Sequence, residues 1–404
     1  MMTFKMAYRN VLRQKRRTLL TVITMLGGFT LASISIAWAD GTYNSVIDMF
    51  TRTRLGHIQV HSRGYLDKPT LYNTITDYEK LGRKINNYEG VTSWAPRLFA
   101  AGLASVGNKS TAVQITGIDP VKETETTRFD KKIIKGRMFS KTGTNEVILG
   151  KGLAENLKAE LGDELVIVSQ GADGSIANDL YNVIGVLESG NLLSDKTSLY
   201  LPLSDAQNLM VLYSQVHEIA IVIEDIDDVK ESAVGLTKAI NRPELTVETW
   251  QEFAQSFYDA MKADQQGMWI MLFVIILIVS VGVLNTVLMT VLERTREYGV
   301  LRAIGVHPLQ IIRMVTYEVA VMATASIVIG FILSFGVNYW LSVQGISIGT
   351  FSYGGVEFSG MYSEINARSY IIPAITVLVS SVLISLFPAI KAARTVPAKA
   401  MRTL

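Results

Sequence analysis

Four stretches of this chain, 19–39, 268–292, 309–343 and 370–390, are apolar over lengths that a soluble core seldom requires. About 20 helical residues cross the hydrocarbon core of a bilayer. Inside that core every backbone polar group must be bonded within the segment, so each stretch is expected to be a helix. Residues 40–267, by contrast, have ordinary soluble composition. The expected fold is therefore a membrane protein with four transmembrane helices and a large extracytoplasmic mixed α/β domain between the first and second. The segments then read as 1–18, a cytoplasmic amphipathic helix; 19–39, helix one; 40–267, the outer domain; and 268–292, helix two. They continue as 293–308, a cytoplasmic segment; 309–343, helix three with a stalk; 344–369, an outer loop; 370–390, helix four; and 391–404, a cytoplasmic tail.

Basic residues set the orientation. Lys5, Arg9, Arg13, Lys15, Arg16 and Arg17 precede the first stretch without an acid. Arg294, Arg296, Arg302 and Arg313 follow the second, against Glu293 and Glu297. Lys391, Arg394, Lys399 and Arg402 follow the fourth, again without an acid. All three groups belong on one side, the cytoplasm, which places both termini inside and 40–267 outside. That outer segment carries 23 Lys and Arg against 31 Asp and Glu. Topology accounts for the basic residues, so no nucleic-acid partner is expected. The chain has no Cys, which excludes disulfides, metal thiolates and a Cys nucleophile. Ala37-Trp38-Ala39 gives the first stretch the outline of a cleaved signal. Its apolar run is longer than a signal core, and its loss would put the two ends on opposite sides. A retained anchor is expected.

Period and composition predict outer strands at 56–61, 110–117, 146–149, 164–169, 181–187, 197–201 and 217–224. Helices are predicted at 77–87, 151–161, 204–211, 228–240 and 247–264, and a polar linker or insertion at 121–137. Trp250, Phe253, Phe257 and Met261 form an apolar stripe at helical spacing that runs into the second apolar stretch. One long helix is predicted there. As a straight helix 309–343 would measure roughly 50 Å against a hydrocarbon core of ~30 Å, so its excess is expected to project as a stalk.

Motifs that suggest chemistry weaken on inspection. Gly102 to Ser110 reads GLASVGNKS, close to the phosphate loop G-x-x-x-x-G-K-[ST], but Asn108 separates Gly107 from Lys109. A hairpin turn is expected, with no nucleotide hydrolysis, catalytic residue, metal or cofactor on this chain. His57 and His61 lack an evident third metal ligand and are expected at a solvated or interface position. Glu224, Asp225, Asp227 and Asp228 read as a solvated loop and helix start. Within the apolar stretches Asn285 and Glu318 are the costly residues. Glu318 lies near the cytoplasmic end of its stretch and is expected in an ion pair there. Asn285 is expected to bridge helices. Ser326, Gly330 and Ser334 repeat every four residues and permit close helix packing.

The run ERTREYGVLRAIGVHPLQI, Glu293 to Ile311, is the least explained by topology. A plain turn needs only a few Gly, Pro, Asn or Ser residues. Here helix formers continue through the bend. Glu293 and Arg296 are placed to pair at i, i+3, whereas Glu293 and Glu297 repel at i, i+4 unless a positive partner relieves them. The run reads as a handle that another protein grips.

The handle resembles the signature of the FtsX/MacB/Lol-type ABC transporter permeases, roughly R-x-R-E-x-G-x-L-R-A-I-G. Arg294, Arg296, Glu297, Gly299, Leu301, Arg302, Ala303, Ile304 and Gly305 meet it, and Tyr298 stands where Ile is common. The tail from Phe387 to Arg402, the start from Ala7 to Thr21, and Ile148–Asp163 and Leu199–Met210 are similar to the same family, so the resemblance runs the length of the chain. It implies a dimer of permeases, with a second subunit of the same or a related chain, on a cytoplasmic ABC ATPase dimer that carries the ATP and Mg. It also implies that the handle, with Glu293 among its residues, couples to that ATPase, and that the helices work as levers on the outer domain. Gly56 to Pro69 resembles the strand after the first span of Lol-like members, which implies extraction of a lipoprotein substrate from membrane lipid. A MacB-like efflux permease with a separate ATPase and an FtsX-like regulator of a cell-wall hydrolase are the alternatives. The usual MacB-like fusion places an ATPase ahead of the first span, where only the short leader is expected here.

Overall fold

A computed structural model describes residues 9, 13, 15–140, 145–347, 351–353, 356–358 and 360–395. The expected amphipathic helix at 1–18 and the tail past 395 fall almost wholly outside the described residues. Among the described residues four helices are long and apolar enough to cross a membrane: Lys15–Phe50, Gln255–Glu293, Pro308–Gln344 and Arg368–Ala393. All exceed the apolar stretches they contain. The third, with 37 residues, measures about 55 Å at the standard rise.

The chain divides into two compact units, residues 1–45, 261–348 and 360–404 in one, and 46–260 with 349–359 in the other. In the helical unit Val279, Val283, Val287 and Val291 form a seam at four-residue spacing. They pack with Met25 and Phe29 of the first helix and with Met314, Val315, Val319 and Met322 of the third. Small residues bring the backbones close. A Cβ on Gly330 would meet the Phe29 ring at 2.6 Å. The Ser326 hydroxyl donates to the Val22 carbonyl at 3.1 Å, and Ser334 is fully buried. The Ser326–Gly330–Ser334 stripe is thus a packing surface, as its spacing suggested.

The outer unit is built on a ten-stranded sheet. Its strands are β1 (Ile58–Ser62), β3 (Val91–Val106), β4 (Lys109–Ile118), β5 (Ile133–Gly136), β6 (Glu146–Gly150), β7 (Glu164–Gln170), β8 (Ile176–Leu187), β9 (Ser198–Pro202), β11 (Glu218–Ile223) and β12 (Leu245–Thr249). A separate two-stranded pair joins β2 (Ile75–Thr76) to β10 (Gln215–Val216). The main order is β12-β1-β11-β3-β4-β9-β6-β8-β5, with β7 against β3 and β8. Pairing is antiparallel except at β4–β9 and β6–β8. Helices Tyr78–Asn86, Lys151–Leu157, Leu203–Met210 and Val229–Ile240 are interspersed with these strands, giving the mixed α/β domain. Gly107, at φ +59°, turns β3 into β4, so the GLASVGNKS segment is a hairpin.

Several local expectations need correction. Residues 121–137 are an ordered part of the domain. Asp119 caps helix Pro120–Thr127 by accepting from the Val121 and Lys122 amides, and a 3-10 turn and β5 follow. The 16-residue β3 went unread because Pro96, Gly102 and its alanines hide any alternation. Pairing with β11 and β7 along one edge and β4 along the other makes it a strand. The helix predicted at 247–264 begins only at Trp250, after edge strand β12, where Thr249 and Glu252 form a capping box. It then breaks at Ala254 before Gln255–Glu293 starts.

His57 and His61 are buried rather than solvated. The His57 Nδ1 accepts from the Ile223 amide at 3.2 Å. His61 lies between Glu248 at 3.2 Å and Glu218 at 3.4 Å. Glu218 and Glu123 in turn flank Arg97, at 2.9 and 2.6 Å. The chain therefore spends these charges on a buried network inside the domain. The acidic run at 224–228 is exposed at its four carboxylates, and Asp225 caps the short turn that follows it.

Candidate functional site

The second long helix ends at Glu293 because Arg294 leaves helical geometry, at φ −92° and ψ 14°. The Thr295 hydroxyl donates to the freed carbonyls of Val291 and Leu292 at 3.1 and 2.7 Å. A new helix, Thr295–Ala303, then carries the handle. It stops where Gly305 takes φ +94°, which a residue with a Cβ adopts only with strain. The Val306 amide closes this end on the Leu301 carbonyl at 3.0 Å. His307 and Gln310 form a capping box with Pro308 at the first position, starting the third long helix.

The handle has two faces. Its back is rooted: Arg294, Tyr298 and Gly299 are buried, and Tyr298 has no exposed surface. The Arg294 guanidinium donates to Glu318 at 3.0 Å and to Glu297 at 2.7 Å, and lies over the Tyr298 ring. Arg17, at the start of the first long helix, pairs with Glu293. Leu301 and Arg302 are half-buried, and Arg302 donates to the Val306 carbonyl at 3.2 Å. The front is open. Glu293, Arg296, Glu297, Ala303 and Gly305 are exposed, together with Val300 at 49% and Ile304 at 72%.

This arrangement redistributes the residues singled out in the sequence. Glu293 pairs with Arg17, and the break at Arg294 puts Glu293 and Arg296 in different helices. Within the chain, Arg17 supplies positive charge to Glu293 and Arg294 to Glu297. Glu318 does form an ion pair, with Arg294. Asn285 bridges no helices among the described residues; it is exposed on the second long helix. Sequence reasoning passed over Val300, used Arg17 for orientation alone and took Ile304 as part of the signature without a role. The helical phase of the handle marks Val300 and Ile304, which stand four residues apart on the side opposite Tyr298.

Comparisons with known proteins divide the chain in two. Residues 18–239 match the family described as MacB-like periplasmic core domain, and residues 269–397 match the FtsX-like permease C-terminal family. The chain is 23% identical to the lipoprotein-releasing system transmembrane protein LolC of Neisseria meningitidis serogroup B, over 97% of each chain. It is 25% identical to the macrolide export ATP-binding/permease protein MacB of Campylobacter jejuni, over 98% of this chain but 61% of that protein. The crystal structure of the periplasmic region of MacB from Actinobacillus actinomycetemcomitans matches 50% of this chain and 94% of its own. The identity is 18% and the TM-score 0.38, a likeness too loose to bear on the fold.

Proposed function

Because the chain belongs to the FtsX/MacB/Lol-type family of ABC transporter permeases, we propose that its handle receives a separate cytoplasmic ABC ATPase, whose ATP-driven closure it passes to extracytoplasmic work. The most specific reading of that work is extraction and release of a lipoprotein from the inner membrane. The carrying observation is the division of the handle. The handle is anchored from behind by Arg294, Tyr298 and Glu318 and presents Val300 and Ile304 in front, with Glu293, Arg296 and Glu297 exposed around them. An apolar pair rimmed by carboxylates suits a partner groove with an apolar floor and basic edges. The full-length similarity to LolC supports the lipoprotein reading. The match to the MacB-like core domain and the similarity to MacB support efflux as the second reading.

In this proposal both termini and the handle are cytoplasmic, and the ATP and Mg belong to the partner. Asn285, polar and exposed on a helix of membrane length, faces a second permease subunit, where a hydrogen bond between helices offsets its cost in lipid. The test is co-purification of the ATPase with the membrane-inserted chain, followed by reconstitution with a lipid-modified protein and, separately, with a small efflux substrate. Ile304→Asp should abolish ATPase capture without affecting insertion. Full capture by that variant would remove the handle from the docking site. Transport of the small substrate without lipoprotein release would select efflux.

A further inference from the structure

The rooted face of the handle meets the first and third long helices at one small site. Arg17 and Glu318 both line a cavity of about 30 Å³ with Thr21, Arg294, Tyr298 and Met322. A space of that size holds a water molecule. Two buried donors at this site, the Arg17 Nη1 and the Tyr298 hydroxyl, have no hydrogen-bond partner among the described residues. The ionic contacts cross between elements. Arg17 of the first helix takes Glu293 at the end of the second, and Arg294 takes Glu318 from the third at 3.0 and 3.3 Å. With Arg294 and Glu318 each about a tenth exposed at the side chain, solvent screens that pair little. The backbone changes direction at each end of the handle, at Arg294 and at Gly305. Tyr298 and Leu301 pack the short helix against the helical core, and the two ion pairs add directional ties to particular helices.

We propose that Arg294–Glu318 and Arg17–Glu293 form a joint that fixes the handle to the third and first helices, so that a push on its open face turns both. These are positioning residues; they act through the handle rather than on ATP or cargo. The proposal rests on the handle being the seat of the ATPase and adds which helices receive the motion. The unpartnered Arg17 and Tyr298 donors beside Glu318 allow the joint to exchange partners as it turns while a charge stays buried, since a stranded carboxylate there would be costly.

The experiment uses the whole complex in proteoliposomes and measures ATP hydrolysed per substrate molecule released, alongside ATPase capture. Arg294→Glu, Glu318→Arg and the charge-exchanged double variant are compared with wild type, with Glu318→Gln as a near-isosteric variant should the reversals fail to insert. In each single variant release per ATP should fall about tenfold, within the range by which residues along a coupling path alter it, with capture and hydrolysis retained in the Glu318 variants, which lie behind the handle. The double variant should recover much of the loss, which a merely structural disturbance would not do. Wild-type release per ATP in both Glu318→Gln and the inserted reversals would overturn the joint. So would a double variant no better than the singles. Failure of the docking reading itself shows separately, as undiminished capture by Ile304→Asp.

Discussion

Two arginines, Arg97 in the outer domain and Arg294 at the handle, each hold two carboxylates, and they do so differently. Arg97 lies between Glu123 and Glu218, all three buried, and also donates to the Arg54 carbonyl at 2.7 Å. Glu218 is shared in turn with His61. Arg294 has one buried carboxylate, Glu318, and one, Glu297, whose side chain is 53% exposed. In the first cluster every charge is paired with another buried group, although Arg97, Glu123 and Glu218 also line a cavity of about 220 Å³, and the pairings hold β3, β11, β1 and helix Pro120–Thr127 in one arrangement. The second is open on one side and has unpartnered donors beside it. A closed network specifies a rigid body, whereas a half-open one lets a helix move without stranding a charge.

The largest effect should come from opening the closed cluster. Arg97→Leu leaves buried Glu123 without a guanidinium and Glu218 with His61 in place of two positive partners, and should cost the outer domain about 3–5 kcal/mol. Protease resistance of that domain in the membrane-inserted chain would collapse; survival at wild-type resistance would show that water reaches Glu123 and Glu218. At the half-open cluster Glu318→Gln should cost less, about 1–3 kcal/mol, because Arg294 keeps Glu297 and Tyr298. Thermal melting in detergent reads that difference, and a loss equal to that of Arg97→Leu would erase the contrast.

Acidity should separate the buried histidines. Burial pushes His57 down to about 4. Burial also works against charge on His61, but hydrogen bonds to Glu218 and Glu248 reverse it and hold His61 up at about 9. From an unfolded value near 6.5, the stability owed to charged His61 is full below that pH and is lost as pH rises through about 9. The stability owed to neutral His57 is full above 6.5 and is lost as pH falls through about 4. Hydrogen-exchange protection of β1 should therefore fall on both sides of neutrality. His61→Gln should flatten the alkaline limb and His57→Gln the acid one; limbs unchanged in these variants would assign the pH dependence elsewhere. The smallest stability effect belongs to Glu297→Ala, below about 1 kcal/mol for an exposed pair, with a measurable loss of coupling nonetheless.

Much of the membrane half was readable because its code is coarse. A run of some twenty apolar residues admits few structures besides a spanning helix. Glu318 was assignable to an ion pair for the same reason: an acid at that depth needs a partner. The outer sheet was readable in part. Strands with clean alternation, such as β7, stood out. β3 did not, because its strand character comes from edges that pair with β4, β7 and β11 rather than from its own residues. His61 looked like a surface histidine because its partners, Glu218 and Glu248, are 157 and 187 residues away in sequence.

By itself the sequence determined the four helices, the existence of an outer α/β domain, the family, and the handle with its helix formers and its Gly305 stop. Those depend on local composition and short-range spacing, which a linear chain displays directly. Tertiary structure alone decided which side of the handle is rooted and which is open. It paired Arg17 with Glu293 and Arg294 with Glu318, and it closed Arg97 inside the outer domain. The physical reason is that a charge takes the partner that packing brings within about 3 Å in the least hydrated place. Residues hundreds of positions apart become neighbours only after the chain has folded.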